Sequence, residues 1–80
     1  MMISYDNDVK AVYITLLSEA KVAKTVEFAP ETYLDFTKNG ELIGVEMLSP
    51  SRDVLKRIAK KFNLPELSRI RPDKLLQVVS

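Results

Sequence analysis

The feature that most constrains the fold is residues 32–48, where two apolar-rich runs flank Asn39-Gly40. An Asn-Gly pair between such runs favours a two-residue hairpin loop with a type I′ turn, because both residues tolerate positive φ. Counting outward from this loop, the inner face receives the pairs Lys38/Glu41, Phe36/Ile43, Leu34/Val45 and Thr32/Met47. The outer face receives the pairs Tyr33/Glu46, Asp35/Gly44 and Thr37/Leu42. A slip of one residue would mix the two faces, so the pattern predicts a single register.

Three further strands are predicted before this hairpin, at residues 3–5, 11–17 and 22–29. In the second of them, Val12, Ile14 and Leu16 alternate with more polar positions and are expected to face the core. Short links between five strands favour an antiparallel meander. Gly44, inside the last strand, indicates either a bulge or the close approach of another group.

The hydrophobic period changes from two to 3.6 after residue 49. Ser49-Pro50-Ser51 is typical of a helix start, and Asn63 is a plausible stop. Between them, apolar residues recur at helical spacing, namely Val54, Leu55, Ile58, Ala59 and Phe62. We expect this helix, residues 51–62, to cover the apolar face of the sheet.

Residues 64–80 form a tail for which two conformations stay open. Pro65 can begin a short helix that carries Leu67 and Ile70, and Pro72 would end it. The apolar residues at 75–79 suit a second short helix or a strand. The predicted fold is therefore a single α+β domain over residues 1–80, with the sheet at 1–48, one amphipathic helix on one face at 51–62, and this helical or extended tail at 64–80.

Composition excludes much common catalytic machinery. The 80 residues contain no histidine and no cysteine, so the usual general base, thiolate nucleophile and soft metal ligands are absent. Neither a phosphate-binding glycine loop nor a metal-ligand spacing is present. We therefore expect a non-enzymatic protein without a cofactor. The absence of a signal-peptide pattern and of long apolar runs leads us to expect a cytoplasmic protein.

Charge is distributed unevenly along the chain. Residues 1–49 carry four basic and eight acidic side chains, whereas residues 50–80 carry eight basic and three acidic ones. The small size and the apolar tail favour a homodimer, joined through a sheet edge, the outer hairpin face or the tail.

Two groups of residues are candidate binding sites. The first is an acidic, tyrosine-bearing surface for a protein partner, formed by Tyr5, Tyr13, Tyr33, Asp35 and Glu46. The second, for nucleic acid, is the basic side of the helix together with the C-terminal tail, and its helix residues are Arg52, Lys56, Arg57, Lys60 and Lys61. Each pattern is also typical of an ordinary solvated surface.

The first fifty residues also carry a family resemblance. The relevant stretches are Ile3-x-Tyr5-Asp6, Ala11-x-Tyr13-Ile14-x-Leu16, Val22-x-x-Thr25-x-Glu27, Leu34-Asp35-Phe36 and Gly40-x-Leu42-Ile43-Gly44-Val45-Glu46-Met47-Leu48. They resemble the domain-of-unknown-function family 2283, although Lys10 stands where that family usually has aspartate. The resemblance implies a small bacterial or archaeal α+β protein of the antitoxin-like kind, whose partner would be a small basic toxin.

Overall fold

The structure is a computed structural model that describes residues 1–72, so the predicted structure at 75–79 lies outside the described residues. The chain forms two compact units, one comprising Met1–Ser49 and the other beginning at Pro50. The first unit contains the strands β1 (Met2–Asp6), β2 (Ala11–Thr15), β3 (Lys24–Ala29), β4 (Thr32–Phe36) and β5 (Leu42–Met47). The second contains the helix α1 (Arg52–Lys61) and a 3-10 helix (Pro65–Arg69).

The five strands form one open antiparallel sheet in the order β1-β2-β5-β4-β3. The α+β class and the five-stranded antiparallel sheet are thus confirmed. The order departs from a simple meander at one place, because β5 rather than β3 lies beside β2. Strands β2 to β5 therefore have the connectivity of a Greek key, with β3, β4 and β5 joined by hairpins.

The link at residues 16–23 explains how the chain makes this crossing. It must span three strand spacings, about 14 Å, and eight residues reach about 27 Å when extended. The amides of Leu16 and Leu17 both donate to the carbonyl oxygen of Ile43 in β5, at 2.7 and 3.1 Å. The Ala23 amide then donates to the Phe36 carbonyl oxygen, at the end of β4, at 2.9 Å. The link is thus hydrogen-bonded to both strands that it crosses.

The central hairpin has the predicted register over most of its length but a different turn. Lys38, Asn39 and Gly40 form a three-residue loop, and among them only Gly40 has a positive φ, of 87°. The Gly40 amide donates to the Thr37 carbonyl oxygen at 3.0 Å, and the Thr37 amide donates to the Glu41 carbonyl oxygen at 2.9 Å. This is the bulged loop that has one left-handed residue, and not the type I′ turn that we predicted.

A second irregularity restores the register within two residues of the turn. Phe36 pairs with Leu42 instead of the predicted Ile43, whereas Asp35 pairs with Gly44 as predicted. Ile43 is therefore the additional residue of a β-bulge. Beyond it, the pairs Leu34/Val45, Tyr33/Glu46 and Thr32/Met47 all match the prediction.

One face of the sheet carries the apolar side chains that were predicted to be internal. The register aligns Val12 with Met47 and Ile14 with Val45, and these four side chains are fully buried. Leu34 continues the second row on β4, and it is 2% exposed. Because side chains alternate along a strand, the residues between them lie on the other face of the sheet.

The second unit begins and ends its helix with the predicted signals. The Ser51 hydroxyl accepts a hydrogen bond from the Val54 amide at 3.3 Å, as expected of an N-cap. Asn63 has a φ of 55°, and the next amide, of Leu64, donates to the Ala59 carbonyl oxygen at 2.8 Å. Such a left-handed residue followed by a backward hydrogen bond is typical of a helix C-terminus. The short helix predicted at Pro65 is present as the 3-10 helix.

The apolar side chains of the second unit are also those predicted from the helical spacing. Leu55, Ile58 and Ala59 of α1 are buried, and so is Leu67 of the 3-10 helix, which packs against α1. The packing of α1 on the sheet stays a prediction from the sequence, as does the single-domain organisation.

Candidate functional site

Polar side chains form two adjacent rows across the face of the sheet opposite the apolar side chains. The register places Tyr13, Glu46, Tyr33 and Glu27 in one row across β2, β5, β4 and β3. The neighbouring row consists of Thr15, Gly44, Asp35 and Thr25. We refer to these eight residues as the polar face. Thr25 and Glu27 are exposed, and Tyr13, Tyr33, Asp35 and Glu46 are partly buried.

The Asp35 carboxylate is held by hydrogen bonds from two other strands. The Tyr13 hydroxyl, on β2, donates to one carboxylate oxygen at 2.6 Å. The Thr25 hydroxyl, on β3, donates to the other oxygen at 2.6 Å. Hydrogen bonds to a charged acceptor are stronger than neutral ones, so the pair fixes the orientation of the carboxylate. Each oxygen retains a lone pair for a further donor.

Gly44 explains how the Tyr13 side chain reaches Asp35. The two residues are on β2 and β4, and β5 lies between them. A Cβ atom at Gly44 would lie 2.8 Å from the Tyr13 hydroxyl oxygen and 2.9 Å from its Cε1 atom. The phenol ring therefore crosses β5 over the one polar-face position that has no side chain. The close approach that a strand glycine predicted is confirmed, and Tyr13 is the approaching group.

The environment of Tyr13 keeps its hydroxyl protonated. Burial raises the pKa of Tyr13 far above its ordinary value of 10.0, and the hydrogen bond to Asp35 raises it further. The negative charges of Asp35 and Glu46 act in the same direction, since they disfavour a phenolate beside them. Tyr13 is therefore a hydrogen-bond donor that orients Asp35, and not a base or a nucleophile.

The polar face has a strong negative charge. Three of its eight residues are acidic, namely Glu27, Asp35 and Glu46, and none of the eight is lysine or arginine. In the row beside Asp35, the two other carboxylates flank Tyr33 on the neighbouring strands. The face thus offers fixed acceptors next to aromatic rings, which suits a cationic side chain.

The structure brings together four of the five residues predicted to bind a protein partner. Tyr13, Tyr33, Asp35 and Glu46 all belong to the polar face. Tyr5 does not, because it pairs with Val12 and lies on the apolar side of the sheet. The prediction placed Tyr5 in the first strand without a register against the second, so grouping it with the other tyrosines was wrong.

The predicted set did not include the two polar-face residues of β3. Thr25 and Glu27 alternate with Val26, so the pattern places both on one side of β3 but does not show which side that is. Their distance from Asp35 depended on the strand order, which the pattern did not reveal. The T-x-E spacing that contributes to the family resemblance was the one available signal for this pair.

The predicted nucleic-acid residues lie together on α1. All five are exposed: Arg52, Lys56, Arg57, Lys60 and Lys61. Two of them, Lys60 and Lys61, lie in the last turn, where positive charge favours the helix dipole.

Two kinds of feature are absent from the described part of the chain. Among residues 1–72, no group of three acidic, histidine or cysteine side chains is arranged to hold a metal ion. No helix in that range has both the length and the apolar character needed to cross a membrane.

These features define a class of protein, a small α+β protein built on an open antiparallel sheet with an acidic polar face. The chain belongs to the DUF2283 family, described as proteins of unknown function, whose model matches residues 2–51. The matched segment contains all eight polar-face residues and ends at the N-cap of α1. No curated protein and no solved structure matches the chain.

Proposed function

We propose that the protein is a non-enzymatic interaction module that binds a basic segment of a protein partner on its polar face. The observation that carries the proposal is the fixed Asp35 carboxylate, held by Tyr13 and Thr25 on a face that has three acids and no basic residue. A surface that only needs to be soluble has no use for a carboxylate held in one orientation. A binding surface gains from it, because less side-chain entropy is lost when the partner arrives.

Arginine is the side chain that this surface suits best. Its planar guanidinium donates in parallel to carboxylate oxygens and stacks on aromatic rings. Glu46 and Asp35 offer the acceptors, and Tyr33 offers a ring between strands β5 and β3. Charge complementarity of this kind raises the association rate and selects basic partners over acidic ones. A small basic toxin, which the family resemblance implied, is a partner of this chemistry.

The direct test is titration of the ¹⁵N-labelled full chain with a synthetic nine-residue arginine peptide. We expect chemical-shift changes concentrated at Tyr13, Tyr33 and Glu46, and binding that weakens as salt is added. The double variant Glu27→Gln with Glu46→Gln removes two negative charges from the polar face. It should weaken binding of the peptide by about tenfold, equivalent to about 1.4 kcal/mol.

The matched control neutralises two exposed acids of the same unit that lie outside the polar face. Glu19→Gln with Glu41→Gln removes the same net charge from the links between strands. Equal weakening by the two double variants would mean that only net charge matters, and the polar face would not be the site. Absence of binding at low salt would also contradict the proposal.

A second candidate function rests on the exposure of all five basic residues of α1. Clustered lysine and arginine on one helix can contact a phosphate backbone without reading sequence. Binding of a labelled single-stranded or duplex oligonucleotide would then fall steeply with salt. The variant Lys56→Gln with Lys60→Gln should lower the salt slope by about two. No oligonucleotide binding at low salt would eliminate this candidate.

A further inference from the structure

The two edges of the sheet differ in how well they resist pairing with another strand. At the β3 edge, the register against β4 shifts between Glu27 and Ala29, and Pro30 follows directly. Bulges, prolines and lysines such as Lys24 are the devices by which proteins block an edge strand. By these criteria the β3 edge is protected.

The β1 edge has none of this protection. Its register against β2 is regular over all five residues, from Met2 opposite Thr15 to Asp6 opposite Ala11. The strand contains no proline, lysine or glycine. Its side chains include Met2, which is 59% exposed, and Ile3, which is 38% exposed. A regular edge strand with exposed apolar side chains is a template for one more strand.

We propose that β1 pairs antiparallel with β1 of a second copy, which would join the two sheets into one of ten strands. This interface uses the sheet edge and is independent of the partner binding proposed for the polar face. Antiparallel pairing of identical strands has the two-fold symmetry of most homodimers, because each residue contacts the same set in both directions. When this pairing is centred on Ser4, each of the five residues of β1 lies opposite a residue of β1 in the second copy.

The side chains of β1 are complementary to themselves in this arrangement. Ile3 would lie opposite Tyr5 of the second copy, and a β-branched residue beside an aromatic one is a favourable cross-strand pair. Asp6, the one charged residue of β1, would lie opposite Met2. The two aspartates would be about 13 Å apart along the strands, beyond the screening length of about 8 Å. Parallel pairing would instead bring these like charges side by side.

The dimer would also place both polar faces on the same side of the joined sheet, since residues opposite each other in an antiparallel pair share a face. A single short strand pair makes a small interface, so we expect a dissociation constant in the micromolar range.

The test is sedimentation equilibrium of the full chain between about 5 and 500 µM. We expect the mass to rise with concentration from 9.1 kDa towards twice that value. In hydrogen exchange over the same range, the amides of residues 2–6 should become slower and those of β3 should not. Lysine at an edge opposes pairing, and Ser4→Lys would also place two lysines opposite each other. Ser4→Lys and Ile3→Lys should therefore each raise the dissociation constant by at least about tenfold.

The matched control is Val22→Lys, which makes the same change at an exposed apolar residue just before β3, where it is 48% exposed. This variant should dimerise like the wild type. A wild-type chain that stays monomeric at the highest concentration would overturn the proposal. So would a dimer that both β1 variants leave intact, or one that Val22→Lys weakens equally. If Ile3→Lys fails to fold, Ser4→Lys, whose exposed side chain lies on the other face of the sheet, still tests the proposal.

Discussion

At the scale of single residues, three positions on three different strands depend on one another. Asp35 is oriented by Tyr13, and Tyr13 can reach it only because Gly44 has no side chain. The sequence draws attention to each of these residues separately, but nothing in it links the three. Their dependence makes them the positions where small substitutions should have the largest effects.

Substitution of Gly44 by alanine tests this dependence. The added Cβ would lie 2.7 Å from the Ile14 carbonyl oxygen as well as against the Tyr13 ring, so the backbone and the ring must both shift. We expect Gly44→Ala to lower the free energy of unfolding in urea by about 1–3 kcal/mol. The Tyr13 to Asp35 hydrogen bond should be lost, which would lower the pKa of Tyr13 towards its ordinary value.

Gly40→Ala is the comparison for that experiment. Gly40 has a φ of 87°, but no atom lies within 4 Å of the position that a Cβ would occupy. Gly40→Ala should therefore lower the free energy of unfolding by about 1 kcal/mol through backbone strain alone, and the pKa of Tyr13 should not change. If Gly44→Ala left Tyr13 unaffected as well, the ring would not depend on that glycine.

The raised pKa of Tyr13 predicts how stability depends on pH. Below pH 10 the phenol is protonated in the folded and unfolded chains alike, and its stabilising contribution is fully present. Above pH 10 the unfolded chain releases this proton while the folded chain retains it, so the free energy of unfolding falls. Tyr13→Phe should abolish this component and cost about 1 kcal/mol at pH 8.

The measurement compares urea unfolding of wild type and variants at pH 8 and at about pH 10.8, where lysines contribute equally to all of them. Tyr5→Phe removes a phenol from the other side of the sheet and should retain the steeper wild-type dependence. An identical loss of stability with pH in wild type and Tyr13→Phe would exclude Tyr13 as its source.

At the scale of elements, the sequence pattern predicted the features that depend on residues close together in the chain. The alternation in residues 32–48 identified the two strands and their inner residues, because burial on one side imposes a period of two. The turn was wrong because Asn39-Gly40 suits more than one loop, and Thr37 closes the longer one through its hydroxyl, which accepts from the Glu41 amide at 3.0 Å. The bulge at Ile43 then compensates for the extra loop residue.

The hydrophobic pattern could not predict the order of the strands in the sheet. Whether β2 pairs with β3 or with β5 depends on the link at residues 16–23, which has neither glycine nor proline to define a turn. That order decides which side chains are neighbours, so it also decides the site. Asp35 and Glu46 could be placed together from the hairpin alone, whereas the contact between Tyr13 and Asp35 could not.

The N-cap of α1 gives a prediction at this scale. The Ser51 hydroxyl accepts from the Val54 amide, one of the amides that have no partner inside the helix. We expect Ser51→Ala to lower the free energy of unfolding by about 1 kcal/mol, measured by helical circular dichroism in urea. Ser49→Ala, two residues outside the cap, should change it by less than about 0.5 kcal/mol. Equal effects would show that the cap hydrogen bond contributes little.

At the scale of the whole chain, the sign of the charge separates the two candidate binding surfaces. The acidic polar face lies in the unit at residues 1–49, whose net charge is −4, and the basic side of α1 lies in residues 50–80, whose net charge is +5. Charges of opposite sign select different ligands. The two proposed functions therefore make opposite predictions for the same pair of variants.

Glu27→Gln with Glu46→Gln should weaken binding of the arginine peptide by about tenfold, because it removes two carboxylates from the polar face. The same variant should bind a heparin column at least as tightly as wild type, since it leaves the basic side of α1 intact. Lys56→Gln with Lys60→Gln should do the reverse, eluting from heparin at lower salt and binding the peptide normally. Measuring both ligands on both variants distinguishes the surfaces without knowledge of the natural partner. If each variant altered both ligands to the same extent, binding would follow the net charge of the chain, and neither surface would be a specific site.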